Sequence, residues 1–204
     1  TESPEGASVG VVKNLASMSV ITISTNSNVV YDKLSHIIDP ICIDNVSQKI
    51  NTGNIHMYYS VICNGDIIGT TPHPIDVYNT IKQWKMSGLI NIYTSVTIDV
   101  DARSVNVCND GGRVVRPLFI MNTETNRLVI DEMNDDPCSE FTYASISSFD
   151  ELLTTSTWGK SMIEYVDITE QSNSMILVSP TSPRVAGVIY THSEIHPSTM
   201  FGVL

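Results

Sequence analysis

The feature that most constrains this 204-residue chain is a two-residue pair, Asn64 and Gly65, set between two β-rich runs in IHMYYSVICNGDIIGT. Asn-Gly supplies the two positive-φ positions of a type I′ turn, whose twist matches that of the flanking strands, so the sequence predicts a hairpin between Ile55 and Thr70. A lone hairpin is at best marginally stable in water and needs a further element to cover its apolar face. The next segment, HPIDVYNTIKQWKMSG, supplies one. Pro74 fits a first helical position, Ile75, Tyr78, Ile81 and Trp84 mark one face, and Gly88 suits the C-terminal cap.

Period-two alternation returns at Val96, Ile98 and Val100 and again at Val105 and Val107, with DARS between them as a turn. VVRPLFI follows the turn NDGG as another strand, and Pro117 predicts an edge or a bulge there. Upstream, the later half of the run from Ser8 to Ile23 alternates like a half-buried strand, and its first half fits a helical turn or a strand. Val30, Leu34, Ile37 and Ile38 recur at helical spacing before Pro40. Downstream, a short helix is predicted over Phe149 to Thr154, with strands near Met162 to Val166 and Met175 to Val178. Asp131 to Glu140 reads as a solvated acidic loop and SPTSPR, from Ser179 to Arg184, as a surface loop. The sum is an α+β fold: strand-rich and mixed, with a few short helices and no doubly wound parallel sheet.

Hydrophobic residues make up 42% of the chain, enough for a buried core. No apolar run reaches eighteen residues and the N-terminus lacks the succession of a signal peptide, so a soluble intracellular location without a membrane partner is expected. The chain begins TESPEG without methionine and ends MFGVL within an apolar stretch, and it reads as an excerpt. The formal net charge of −11 is uneven, with 12 acidic and 3 basic residues over positions 121 to 204. Such a surface repels phosphate, so this third is not expected to grip nucleic acid.

Four cysteines, Cys42, Cys63, Cys108 and Cys138, form no CxxC pair and read as reduced thiols. His192, Glu194 and His196 in THSEIHPS would share a helical face suited to zinc. The Glu is misplaced for an HExxH motif, however, and Pro197 disfavours helix at His196, so no metal site is expected. Asp99 and Asp101 have a DxD spacing at the mouth of a turn, where aspartate serves local hydrogen bonding. The NDGGR segment lacks the following helix of a phosphate-binding loop. Gly111 and Gly112 therefore read as a tight turn, with Arg113 and Arg116 in ion pairs or subunit contacts.

Four blocks, in order, resemble the second-largest (β-like, Rpb2-type) subunit of multisubunit DNA-directed RNA polymerases. ESPEGASVGVVKNL, from Glu2 to Leu15, is similar to the family's ETPEG…G.(V/I)KNL, with Ser3 for the usual Thr. VICNGDIIGT and its helix, followed by NDGGRVVRPLF, resemble the family's NG, following G, helix and D(A/G)GR..RPLF, with KMSG in place of RRKG. MIEYVD with Ile168, Thr169 and Glu170 resembles VEY(I/L)D and its acidic follow-on. YTHSEIHPSTMFGVL resembles YTHCEIHPSMILGV, with Ser193 for Cys. The substitutions lean toward a large eukaryote-infecting DNA virus as the source.

The resemblance implies an internal fragment laid out as the end of the fork region (1–25), a connecting segment (26–59), an external 1 domain (60–120), an acidic connector (121–148), an external 2 domain (149–178), a linker (179–190) and the start of the hybrid-binding domain (191–204). It implies a nucleotidyltransferase acting in transcription, active only as a complex. Partners would be the largest subunit and the other polymerase subunits, with DNA template and RNA reached through the complete enzyme. The location would be the nucleus for a cellular protein, and the host cytoplasm, viral factory or virion for a viral one. Mg²⁺ would serve the complete enzyme, held mainly by the largest subunit. No NADFDGD-like string occurs here, so no catalytic residue and no cofactor is assigned to this stretch. By the same resemblance, Glu2, Pro4, Glu5, Gly6, Lys13 and Asn14 lie near the active centre, and packing of the fork is the other reading of these residues. Asn64, Gly65, Asp110, Gly112, Arg113, Arg116, Pro117, Glu164, Tyr165, Asp167, His192, Glu194, His196 and Pro197 carry the family pattern as structural residues. Two other readings of the residues stay open, a stand-alone intracellular protein-binding α+β module and a metallohydrolase. Sequencing past Leu204 separates the module from a polymerase, because a polymerase frame continues into an SIIPFP-like segment whereas a module soon stops, and elemental analysis for bound metal tests the metallohydrolase.

Overall fold

The computed structural model describes residues 5–9, 15–40 and 58–196. The hairpin forms where the Asn-Gly pair predicts it: β3 (Tyr59–Cys63) and β4 (Asp66–Thr71) pair antiparallel, with Asn64 at φ 51° and Gly65 at φ 94°. The chain divides into two compact units, Thr22–Arg113 and the combination of Thr1–Ile21 with Val114–Leu204.

In the unit Thr22–Arg113 a five-stranded sheet runs in the order β2-β4-β3-β6-β5, where β2 is Asp39–Pro40, β5 is Ser95–Asp99 and β6 is Ser104–Cys108. Among the described residues of this sheet only β3 and β6 pair in parallel. Their alternating residues Val61, Cys63, Val105 and Val107 are wholly buried. Their core also holds Val30 and Leu34 of α1 (Asn28–Ser35) and Val77 and Ile81 of α2 (Pro74–Met86). Burial raises the pKa of the Cys63 thiol to about 11, so it stays protonated and acts as a small apolar filler.

Two predicted helix faces need correction here. Ile75 is 64% exposed because it lies two residues, roughly 200° of helical rotation, from Val77, which takes the inward place, with Tyr78 and Trp84 packed at the margin. The first helix stops at Ser35, leaving Ile37 and Ile38 beyond its end, and of the two only Ile38 is buried. Gly88 takes φ 74° just after the end of α2, as a C-terminal glycine should.

In the other unit, β7 (Val114–Asn122) is the central strand. It pairs with β1 (Val20–Ile21), β8 (Arg127–Leu128), β9 (Ile163–Asp167) and β11 (His192–Ser193), and β11 in turn runs parallel to β10 (Ile176–Leu177). The strand as a whole is therefore no edge, contrary to the inference from Pro117. The proline is tolerated because backbone direction alternates along a strand. The Ile120 amide bonds Met162 on the β9 side and the Met121 amide bonds Thr191 on the other. Position 117 thus turns its missing N–H away from β9, into the interval between the partners of Val115 and of Phe119.

The predicted acidic loop is also partly wrong. Val129–Asp135 forms a short helix, α3, whose first turn carries Asp131 and Glu132, as a helix N-terminus favours. Hydrogen bonds from Thr125 and Asn122 hold the Glu132 carboxyl below its usual value, so this contribution is present above the ordinary carboxylate pKa and is lost as pH falls through the lowered one. A 3₁₀ turn occupies Phe149–Leu152, followed by α4 (Thr155–Trp158) and, directly after β9, α5 (Ile168–Ser172). Asp136 to Glu140 contains no regular element, in line with the loop expected there.

Glycine has a steric reason at one position. A Cβ on Gly111 would lie 2.6 Å from the backbone nitrogen of Ser24, whereas one on Gly65 would meet nothing within 4 Å. Gly111→Ala is expected to lower the unfolding free energy by about 1–3 kcal/mol, as overpacking against backbone does, when urea midpoints are compared. Gly65→Ala is expected to cost about 1–2 kcal/mol, through its positive φ alone.

Candidate functional site

Directly opposed residues of paired strands share a face. Arg116 opposes Val166, Leu118 opposes Glu164, and His192 opposes Ile120, so one face of β11-β7-β9 collects Arg116, Glu164 and His192. Glu194, two residues beyond His192, joins them. All four side chains are buried. Arg116 Nη1 forms an ion pair with Glu194 Oε2, and both side chains are under 5% exposed. Its Nε donates to Gln171 Oε1 at 3.0 Å. His192 Nε2 lies 3.2 Å from Glu164 Oε2, within hydrogen-bond reach.

The local sequence explains how Gln171 gets there. Asp167 ends β9 and caps α5, its Oδ1 accepting from the Glu170 amide at 2.8 Å and from Thr169 Oγ1 at 2.7 Å. The cap starts the helix, and the helix carries Gln171 to the guanidinium. Tyr165 lies on the opposite face of β9, opposed to Pro117. Residues from three separated sequence blocks therefore satisfy one another inside one sheet face.

A second polar cluster surrounds the glycine turn. Arg113 pairs with Asp110 at 3.1 Å and donates from Nη2 to the Tyr93 carbonyl at 3.0 Å. Thr22 bridges both ends of the turn: its Oγ1 donates to the Asp110 carbonyl and accepts from the Arg113 amide, and its carbonyl accepts from the Gly112 amide. Asn64 Oδ1 accepts from the Asn109 amide at 2.8 Å, which ties the hairpin turn to the end of β6. The reading of NDGGR as a tight turn with its arginines in ion pairs agrees with this geometry, as does Asp99, whose Oδ1 accepts from the Ala102 amide at 2.8 Å.

The remaining sequence-predicted residues are not brought into these clusters. Glu5 and Gly6 are exposed, with Gly6 at φ 79° opening a 3₁₀ turn over Gly6–Ser8. His196 is exposed at the end of the described chain. Glu2, Pro4, Lys13, Asn14, Pro197 and Cys42 lie outside the described residues. Sequence reading missed Gln171 and Thr22, which belong to no quoted motif; the cap signal Asp-x-x-Glu at Asp167 and Glu170 was the one available clue to α5.

Chemically, the arrangement holds charge and leaves little to react. Among the described residues no three His, Cys, Asp or Glu side chains come together as a metal-holding group, and the Glu194 carboxylate that a zinc site would need is occupied by Arg116. Among the same residues no helix is long and apolar enough to cross a membrane.

Comparison with known proteins gives one family. The family described as RNA polymerase Rpb2, domain 4, matches residues 61–122. Along its whole length the chain is 27% identical to DNA-directed RNA polymerase subunit 2 of Acanthamoeba polyphaga mimivirus and 30% identical to DNA-directed RNA polymerase III subunit RPC2 of Schizosaccharomyces pombe. Over 99% of its length it is 28% identical to DNA-directed RNA polymerase II subunit RPB2 of Encephalitozoon cuniculi. It spans 18%, 16% and 17% of these three relatives respectively.

Removing one partner of a buried ion pair leaves the other charge uncompensated. Arg116→Met is therefore expected to destabilise the fold by about 3–5 kcal/mol. Arg116→Met with Glu194→Leu is expected to recover most of that loss in a denaturant double-mutant cycle, since both charges then leave together.

Proposed function

We propose, from the premise that this chain belongs to the second-largest-subunit family of DNA-directed RNA polymerases, that it is a scaffold and fork-margin portion of such a subunit and contributes to DNA-templated RNA synthesis without supplying the reacting groups. The observation that carries this reading is the meeting of residues from three family-like blocks on one sheet face as two buried pairs, Arg116 with Glu194 and His192 with Glu164. Groups so engaged fix geometry; they are not available to exchange protons with a substrate. A stand-alone binding module has no need for motif residues that match polymerase subunits along the whole chain.

The partners in this reading are the largest polymerase subunit and its other subunits, with DNA and RNA engaged by the complete enzyme. Mg²⁺ in such enzymes supplies charge stabilisation to phosphoryl transfer. The buried carboxylates described here do not fit as its ligands, because Glu194 and Glu164 face Arg116 and His192 and Asp167 caps α5. The resemblance to the family assigns the ions mainly to the largest subunit. The acidic face of residues 121–204 supports an outward position, away from the phosphate-gripping surfaces.

Within this chain, the segment around Glu5 is assigned to the margin of the active centre, with Gly6 at positive φ turning the chain so that Glu5 is presented to solvent. In the complete polymerase, Glu5→Ala is expected to change elongation rate or misincorporation while subunit assembly is retained, as read by single-round transcript kinetics and gel filtration. Wild-type kinetics in an assembled mutant would refute the assignment.

A further inference from the structure

We propose that the connection between β10 and β11 is a phosphorylation site, with Ser179 and Ser182 as acceptors for a proline-directed protein kinase. Each serine is followed directly by proline, in Ser179-Pro180-Thr181-Ser182-Pro183-Arg184. Proline has no backbone N–H, so a kinase can close an apolar floor over the position after the acceptor without stranding a donor. The serine before it is biased to extended backbone, the form in which a cleft takes up a peptide.

The structure adds access and freedom. Thr181 and the whole stretch from Pro183 to Gly187 are exposed, and the two serines are half-buried. The hydrogen bonds of the tip are local: the Ser182 amide to the Ser179 carbonyl at 3.0 Å, Ser179 Oγ with Thr181 Oγ1 at 3.0 Å, and the Val188 amide to the Val185 carbonyl at 3.2 Å. The anchors lie at its two ends. On one side the Glu194 amide donates to the Leu177 carbonyl; on the other Asn126 holds the Val188 carbonyl and the Tyr190 amide. The tip can therefore enter a cleft by giving up a few solvent-exposed bonds, with β11 and the Arg116–Glu194 pair undisturbed.

Arg184 is the independent second observation. It is the one basic residue between Ser161 and Leu204, it is exposed, and among the described residues it makes no ion pair. A phosphate on Ser182, two residues away, would give the guanidinium a bidentate partner and close the tip on itself. In the transfer, serine Oγ bonds to the γ-phosphorus of ATP, the bond from that phosphorus to the β-γ bridging oxygen breaks, the hydroxyl proton passes to the kinase base, and ADP leaves.

The test uses the complete protein that carries this chain, in its native assembly, incubated with a purified proline-directed serine/threonine kinase and ATP and analysed by phosphopeptide mass spectrometry. Phosphate is expected on Ser179 and Ser182, with signal in this peptide lost in Ser179→Ala/Ser182→Ala and equally in Pro180→Ala/Pro183→Ala, which keeps both hydroxyls. Limited trypsin cleavage after Arg184 is expected to slow upon modification. Absence of phosphate on the native protein overturns the proposal, whether or not a synthetic peptide of the loop is modified. Undiminished phosphorylation of the double proline variant overturns it as well.

Discussion

The ion pair between Arg116 and Glu194 is the constraint on which the sheet of β7, β9 and β11 depends. Two charges under 5% exposed have lost most of their water, and their attraction offsets that loss only when geometry is tight and the leftover donors are used. Gln171 accepts from Nε, which requires α5 to begin where Asp167 caps it. The pair therefore ties three strands and a helix start to a single arrangement. Its contribution is better described as specificity of packing than as net stability.

The unit Thr22–Arg113 meets the same physical demand by different means. Its core is apolar, with β3 and β6 alternating inward against α1 and α2, and a polar cluster lies just past the end of β6. There Asn109 accepts from Thr94 and Thr25 through Oδ1 while its amide is held by Asn64. The close approach of Gly111 to Ser24 allows Thr22 to reach both Asp110 and Arg113. A loop rich in backbone polar groups can be packed this closely because donors and acceptors are matched nearly one to one.

Local chemistry was legible in the sequence where it alone decides the outcome. The Asn64-Gly65 turn, Pro74 as a helix start, Gly88 as its end and the alternation of Val96 with Ile98 and of Val105 with Val107 all require only neighbouring residues, and the structure carries each of them, whereas Val100 falls past the end of β5 and is exposed. The misses came where a distant partner decides. Pro117 predicts an edge unless one knows that β1 and β11 leave an interval beside it. Ile75 looks like a core residue until the helix is docked, and α3 has too few residues and too many carboxylates to announce itself. At the site, the family-like blocks marked Arg116, Glu164, His192 and Glu194 but not their pairing, because pairing depends on strand register. Gln171 gave no signal, being an ordinary polar residue whose role comes from its helix.

Charge counting needed the structure most. Of the 12 acidic residues over positions 121 to 204, Glu164, Asp167, Glu170 and Glu194 are buried, and the outward surface carries the other eight against Arg127, Lys160 and Arg184. The buried four include the family-like residues of this stretch, so its motif carboxylates are removed from solvent. Those left outside are the ones that repel phosphate. A segment that internalises its motif carboxylates and turns the remainder outward spends the buried charges on fixing its own shape and leaves a surface that phosphate avoids.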